Sequence, residues 1–198
     1  ARGSRAGRTL RPHPLQALQH LVAGGRAGRG GIARRGAAIK AAAPDGLRVV
    51  CGGWKKLPAS VKPVLRAGLD VAGVAHRLLD EDFVYVSKTQ VALFGSVSAA
   101  VSAAVKLEYG PVSVQVTTVA EALEGADAGC RAVMVDTGRP SDLSDIGSAV
   151  RARHDDVVVA YGGGVTEADL RHLRDLGADI VDIGRAVLDA PLWDLHLE

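Results

Sequence analysis

The chain has 198 residues, of which 47% are hydrophobic and only 4% aromatic. One sizeable core must therefore be built from Val, Ala, Leu and Ile, as suits parallel strands covered by helices. No apolar run reaches the roughly 18 residues that a membrane-crossing helix requires. The two cysteines, Cys51 and Cys130, lack metal-ligand spacing and read as reduced core thiols of a cytoplasmic protein. A formal net charge of +2 hides an asymmetry: residues 1–50 hold nine arginines and one lysine against a single acid, Asp45, a net +9 that leaves −7 for the remainder.

Residues 1–14 read as a basic arm or the remnant of an upstream domain, because Arg2, Arg5, Arg8 and Arg11 lie among Gly, Ser and Ala without hydrophobic periodicity. Such an arm suggests nucleic-acid affinity or, alternatively, arginines that face an anionic small molecule. The sequence starts at Ala1 without a methionine and shows no signal-peptide core, so a preceding segment is expected. From residue 15 to 198 a single domain is predicted. Residues 15–22 are helical in pattern, with Leu15, Leu18, Leu21 and Val22 on one stripe. Residues 24–31 read as a glycine-rich loop, and 32–43 as an alanine-rich helix ended by Pro44-Asp45-Gly46.

Strand signals follow at 47–51, 71–75, 83–87, 112–116, 132–136, 157–161 and 180–184. Helical patterns occupy 60–67, 96–107, 119–126, 143–153 and 167–176. A βα unit of roughly 20–25 residues predicts a TIM-like β/α barrel of about seven parallel strands, possible in an incomplete form, with functional groups at the C-terminal strand ends. An open doubly wound sheet is the alternative, but no G-x-G-x-x-G follows the first strand.

The strand ends supply the candidate site. Gly52, Gly53, Trp54, Lys55 and Lys56 follow the first strand, His76 and Arg77 the second, and Lys88 the third. Gln115 and Thr117 mark the fourth, and Asp136 the fifth. Gly162, Gly163 and Gly164 close the sixth strand, and Gly184 and Arg185 the seventh. Glycines at strand ends expose backbone N–H groups to an anion, so the last two ends read as a phosphate site. The cations make a site for a polyanion, and Asp136 could hold a divalent cation that bridges phosphates. Taken singly, Lys55 and Lys56 could be a solvated turn, His76 a structural histidine and Asp136 a helix cap.

From about Leu15 to Leu197 the chain resembles the barrel domain of quinolinate phosphoribosyltransferases, the carboxylating nicotinate-nucleotide pyrophosphorylases, including a relative found with molybdate-transport genes. Leu18-Gln19-His20-Leu21 resembles the family's LQHL helix, and Lys55-Lys56-Leu57-Pro58 its RKTTP segment. His76-Arg77 resembles its HR pair, and Gln115-Val116-Thr117-Thr118-Val119-Ala120-Glu121-Ala122 its EVETLEEA. Met134-Val135-Asp136 resembles MLD, Gly163-Gly164-Val165-Thr166 resembles GGIT, and Ile183-Gly184 and Asp194-Leu195-His196-Leu197 resemble VG and LDLSL.

The resemblance implies transfer of phosphoribose from phosphoribosyl pyrophosphate to a heteroaromatic acid, with magnesium as cofactor. By position, Lys55, Lys56, His76, Arg77, Lys88, Gln115 and Thr117 would meet the substrates. Lys55 and Asp136 would be catalytic, with Asp136 serving the metal–diphosphate, and Gly162, Gly163, Gly164, Gly184 and Arg185 would hold the phosphate. A homodimer or larger homo-oligomer is implied, with residues 8–22 at or beside its interface; neither a membrane nor nucleic acid is expected as a partner. The chain departs from the family where Trp54 replaces an arginine, Ser87-Lys88-Thr89-Gln90 replaces KDNH, and Gln115 and Thr117 replace glutamates. Losing an arginine from a dicarboxylate clamp makes quinolinate or a related acid the open question of substrate. Two other readings stand beside this one. One is a β/α-barrel enzyme on a phosphorylated sugar with Lys55 or Lys88 as base or Schiff-base lysine; the other is a non-catalytic phosphate-ligand binder.

Overall fold

A computed structural model describes residues 25–190, with side chains from residue 30 onward. The basic arm at 1–14, the helix expected at 15–22 and the closing segment 191–198 lie outside the described residues. Six strands form one sheet: β1 (Arg48–Val50), β2 (Val84–Val86), β3 (Val112–Val116), β4 (Ala132–Val135), β5 (Val158–Gly162) and β6 (Ile180–Asp182). All pairings are parallel, in the order β1-β6-β5-β4-β3-β2. The helices are α1 (Gly25–Ala42), α2 (Lys62–Ala72), α3 (Lys88–Phe94), α4 (Val97–Val105), α5 (Val119–Asp127), α6 (Pro140–Arg151), α7 (Leu170–Asp175) and α8 (Gly184–Leu188).

Strand alternation divides the apolar side chains between two cores. Val49, Val86, Val112, Val114, Val116, Val133, Val135, Val159 and Val181 face the helices and pack with Leu65, Leu69, Val101, Leu143, Ile146, Leu170 and Leu173. The alternate residues Val50, Ala132, Met134, Ala160 and Ile180 form a second cluster with Leu78 and Leu79, flanked by Ala75, Phe83, Tyr85 and Val158. A parallel sheet with an apolar cluster on its inner side, distinct from the helix-facing core, is a curled barrel wall. Among the described residues the sheet does not close: β1 and β2 are its end strands, and beyond β1 there is a single parallel bridge, Val50 to Ala75, with Cys51 N–H donating to Ala75 O at 2.8 Å. Leu78 and Leu79, both 6% exposed, fill the interior between these edges.

The seventh strand expected at 71–75 is therefore not present. Leu65, Leu69 and Ala72 recur at helical spacing and are buried, whereas Val71 is 80% exposed, so α2 runs through Ala72. Gly73, at φ +64°, ends that helix with a left-handed cap. The glycine-rich stretch expected as a loop at 24–31 is instead the start of α1. Interior glycines cost a helix up to about 1 kcal/mol each relative to alanine. Burial of Ile32 and Ile39 on one face offsets that cost, and at Gly36 a Cβ would come within 2.9 Å of the Ala72 methyl, so glycine permits the close approach to α2.

Strand 83–87 ends one residue early because Ser87 starts α3, a helix the periodicity did not reveal. Ser87 Oγ accepts from Thr89 N–H at 3.2 Å, and Gln90 Oε1 accepts from Ser87 N–H at 3.1 Å, a capping box. Likewise β4 ends at Val135 and β6 at Asp182, which places Asp136 in the loop after β4 and Gly184 at the first position of α8. Register aligns these ends: Asp182 lies beside both Val50 and Gly162.

Candidate active site

A cavity of about 620 Å³ opens at the C-terminal strand ends. The segment after β1 contributes Gly52, Gly53, Lys55 and Lys56; the loop after β5 contributes Gly163 and Gly164; the start of α8, just after β6, contributes Gly184 and Arg185. Gln115, Asp136 and His76 also line it, with Val50, Leu78, Phe83, Tyr85 and Met134 as an apolar floor.

The cations come from a 3-10 turn, Gly53–Lys56, that leads out of β1. Trp54 points away from the cavity: its Nε1 donates to His76 O at 2.8 Å, and the guanidinium of Arg66 on α2 lies 5.1 Å from its ring. That anchoring turns Lys55 inward. Its Nζ sits 3.8 Å from the centroid of the Tyr85 ring, a cation–π contact across the cavity. Surrounding protein lowers the Lys55 pKa by desolvation, and the negative charge of Asp182 partly opposes the shift. Burial likewise pushes the Tyr85 phenol up to about 12, reinforced by Asp136 and Asp182.

Two of the carboxylates that line the cavity are fixed by hydrogen bonds. Asp136 Oδ2 accepts from Gln115 Nε2 at 2.8 Å, so the glutamine positions the aspartate as a neutral donor. Asp182 Oδ1 accepts from Gly52 N–H at 2.9 Å and Gly184 N–H at 3.0 Å. Burial raises the Asp182 pKa, against the pull of those two amides and of Lys55 and Lys56. Gly163 adopts φ +110° and Gly164 φ +89°, left-handed conformations that favour glycine, and both line the cavity.

Of the residues singled out from sequence, the fold gathers Lys55, Lys56, His76, Gln115, Asp136, Gly162, Gly163, Gly164, Gly184 and Arg185 around one cavity. Arg77, Lys88 and Thr117 do not line it. Arg77 Nη1 pairs with Asp82 Oδ1 at 2.6 Å. Lys88 is exposed at the start of α3, where its side chain follows the cap rather than the strand. Thr117 is tied through its N–H and hydroxyl to Glu121 Oε2, at 2.6 and 2.9 Å. His76 reaches the cavity wall while its Nε2 lies 2.9 Å from Asp70 Oδ1 on α2, without hydrogen-bond alignment.

Sequence reasoning missed Tyr85 and Asp182. For Asp182 the signal was present: an acid inside the apolar run 180–184, two residues before the glycine end.

Six parallel strands curled around an apolar interior, with lysines, an arginine, aspartates and glycine loops at their C-terminal ends, define a barrel-type α/β protein with a site for an anionic ligand. Residues 32–198 match the family model for the quinolinate phosphoribosyl transferase C-terminal domain, and the chain belongs to that family. The carboxylating nicotinate-nucleotide pyrophosphorylase of Rattus norvegicus is 29% identical over 189 residues, covering 90% of this chain and 63% of its own length. The enzyme of the same name from Homo sapiens is 29% identical over 165 residues, covering 82% of this chain and 56% of its own. The crystal structure of NadC from Streptococcus pyogenes superposes with a TM-score of 0.69 at 26% identity, over 91% of this chain and 60% of that one. This chain thus spans less than two thirds of each of these relatives.

Proposed function

We propose that this domain serves phosphoribosyl transfer of the quinolinate type, from phosphoribosyl pyrophosphate to quinolinate or a related heteroaromatic acid. The observation that carries the reading is the convergence of Lys55, Lys56 and Arg185 with the 162–164 glycine loop and Asp136 in one cavity, within a chain of this family. In the transfer, the ring nitrogen bonds to ribose C1 while the C1–oxygen bond to diphosphate breaks, and that electron pair leaves on the diphosphate. If the acceptor is quinolinate, the carboxylate next to the ring nitrogen would then leave as CO2, and the electron pair left on that ring carbon would take a proton from solvent to give nicotinate mononucleotide.

The residues' part is positioning and charge. Lys55, fixed against Tyr85, would meet an acceptor carboxylate, and the 162–164 loop with Arg185 would hold the 5-phosphate. Lys56 would offset the charge of the departing diphosphate.

The donor set also suits magnesium. Among the described residues no group of three or more His, Cys, Asp or Glu side chains could cage a metal. Magnesium commonly binds through one or two carboxylates plus substrate phosphates, which is what Asp136, steadied by Gln115, can offer. Bound there, magnesium would neutralise diphosphate charge.

The test is magnesium-dependent release of diphosphate from phosphoribosyl pyrophosphate with a panel of pyridine acids, read together with chromatography of the nucleotide product. Release with quinolinate or another acid is expected. Binding without release by any acid would overturn the transferase reading in favour of a phosphate-ligand binder.

We also propose a homodimer or higher oligomer with residues 8–22 at or beside the contact, because the cavity's cations otherwise face screening solvent. Light scattering of the full chain and of one starting at Gly24 should give a larger assembly only for the former. A monomeric mass for the full chain at micromolar concentration would overturn this assembly.

A further inference from the structure

The two glycine ends of the cavity are not equivalent. At the 162–164 loop, Asp136 Oδ1 lies beside Gly163, and the hydrogen bond that this carboxylate accepts comes from the Gln115 side chain, not from a loop amide. At the β6 end the situation differs, because a carboxylate of the chain already sits where an anion would sit. Asp182 Oδ1 accepts from the amides of Gly52 and Gly184, which follow two different strands, β1 and β6. The fit is close: a Cβ on Gly52 would lie 2.5 Å from Asp182 Oδ2, so only glycine admits the carboxylate there. Lys55 and Lys56 supply the opposing charge, as a ligand's phosphate would otherwise require.

We infer that Asp182 is a specificity-determining residue: it acts as a built-in anion that excludes phosphate from the β6 end of the cavity and leaves that end to a ligand hydroxyl. This rests on the proposed reading only in placing phosphate at the 162–164 loop; it does not depend on any transfer reaction. Two amide donors committed to one carboxylate oxygen are lost to an incoming phosphate, and two like charges in a partly desolvated cavity repel strongly. The second oxygen, Oδ2, has no hydrogen bond among the described residues, so it remains an acceptor for an O–H donor of a sugar-like ligand. Phosphate is therefore confined to the 162–164 loop; at the β6 end the amides are taken, and only the Arg185 side chain, which lines the cavity, remains to reach toward it. The ligand's orientation along the cavity follows from one side chain.

Calorimetric titration with inorganic phosphate near neutral pH tests this without any turnover. Asp182→Asn keeps an oxygen that can accept from both amides but removes the charge; Asp182→Ser frees at least one amide. Asp189→Asn serves as the control, since Asp189 lines the same cavity and makes no side-chain hydrogen bond to those amides. Phosphate affinity should rise at least tenfold in Asp182→Ser, rise less in Asp182→Asn, and change less than threefold in Asp189→Asn. A gain below tenfold in a folded Asp182→Ser, or an equal gain in Asp189→Asn, would overturn the assignment. If Asp182→Ser does not fold, a gain in Asp182→Asn of at least threefold beyond the control supports it, and a smaller one overturns it.

Discussion

The ammonium of Lys55 lies 3.8 Å from the centroid of the Tyr85 ring, and this contact joins the loop after β1 to β2, the two end strands of the sheet. The pair thus spans the seam that backbone hydrogen bonds leave open. It also holds a desolvated cation at a fixed point in the cavity.

Removing the ring should loosen that cation. A cation–π contact contributes about 0.5–2 kcal/mol depending on desolvation. Tyr85→Leu should therefore weaken calorimetric binding of a pyridine dicarboxylate about fivefold, and Lys55→Met should weaken it about thirtyfold, a loss of about 2 kcal/mol. The double variant should lose no more than Lys55→Met alone. Additive losses would show that Tyr85 does not act through the lysine.

At Gly163 the backbone itself is under test. With φ +110°, a Cβ there would lie 3.0 Å from Asp136 Oδ1 and 3.4 Å from Gly138 N. Gly163→Ala should lower affinity for phosphoribosyl pyrophosphate at least tenfold, about 1.4 kcal/mol. Gly95→Ala is the comparison. Gly95 has φ +84° and open space around its Cβ position, and it lies outside the cavity lining. It should lose stability without losing affinity; equal affinity losses would indicate a general backbone effect.

Asp182 should leave a mark on stability as pH changes. Its pKa is raised by burial in the folded state, so between the ordinary aspartate value and the raised one the folded protein holds more protons than the unfolded chain. Stability therefore falls as pH rises through that window. Asp182→Asn removes the titration. Its melting temperature relative to the parent should climb as pH rises from the ordinary aspartate pKa near 3.9 and level off once the folded-state carboxyl is ionised. A difference that stays flat with pH would mean the carboxylate pays no desolvation cost.

Cys51 and Cys130 should be silent toward thiol reagents in the native state. Both are free and buried, and desolvation pushes each thiol up to about 12, with backbone hydrogen bonds opposing. At about pH 8 the reactive thiolate is then scarce as well as inaccessible. Titration with a disulfide reagent should count no thiol in the folded protein and two after denaturation. Rapid native labelling of either would contradict the packing described for β1 and the α5–β4 turn.

The parallel α/β character and the strand cores were legible because each strand's pattern is local: valines at alternate positions in 112–116 pack on helices whichever strands lie beside them. The glycine ends were legible for the same reason, as Gly163 and Gly164 announce a backbone conformation that few other residues tolerate. Helices with unusual composition were not. The Gly25–Ala42 helix begins in a run of glycines, and its stability comes from burial of Ile32 and Ile39 rather than from propensity. Val71 and Val74 suggested a strand, yet burial of Leu65 and Leu69 decided for a helix up to Gly73.

The sequence by itself determined which groups stand at or near strand ends: Lys55, Gln115, Asp136, the glycines at 162–164, Gly184 and Arg185. Only the tertiary structure decided which of them meet. Arg77 turns to Asp82 and Thr117 to Glu121, whereas Asp182 reaches Gly52 across 130 residues of chain. Parallel register sets Val50, Asp182 and Gly162 side by side, and the curl of the sheet brings Tyr85 to Lys55. Strand alternation is a property of neighbouring residues, but side-chain direction after a strand depends on caps, ion pairs and packing supplied by distant segments.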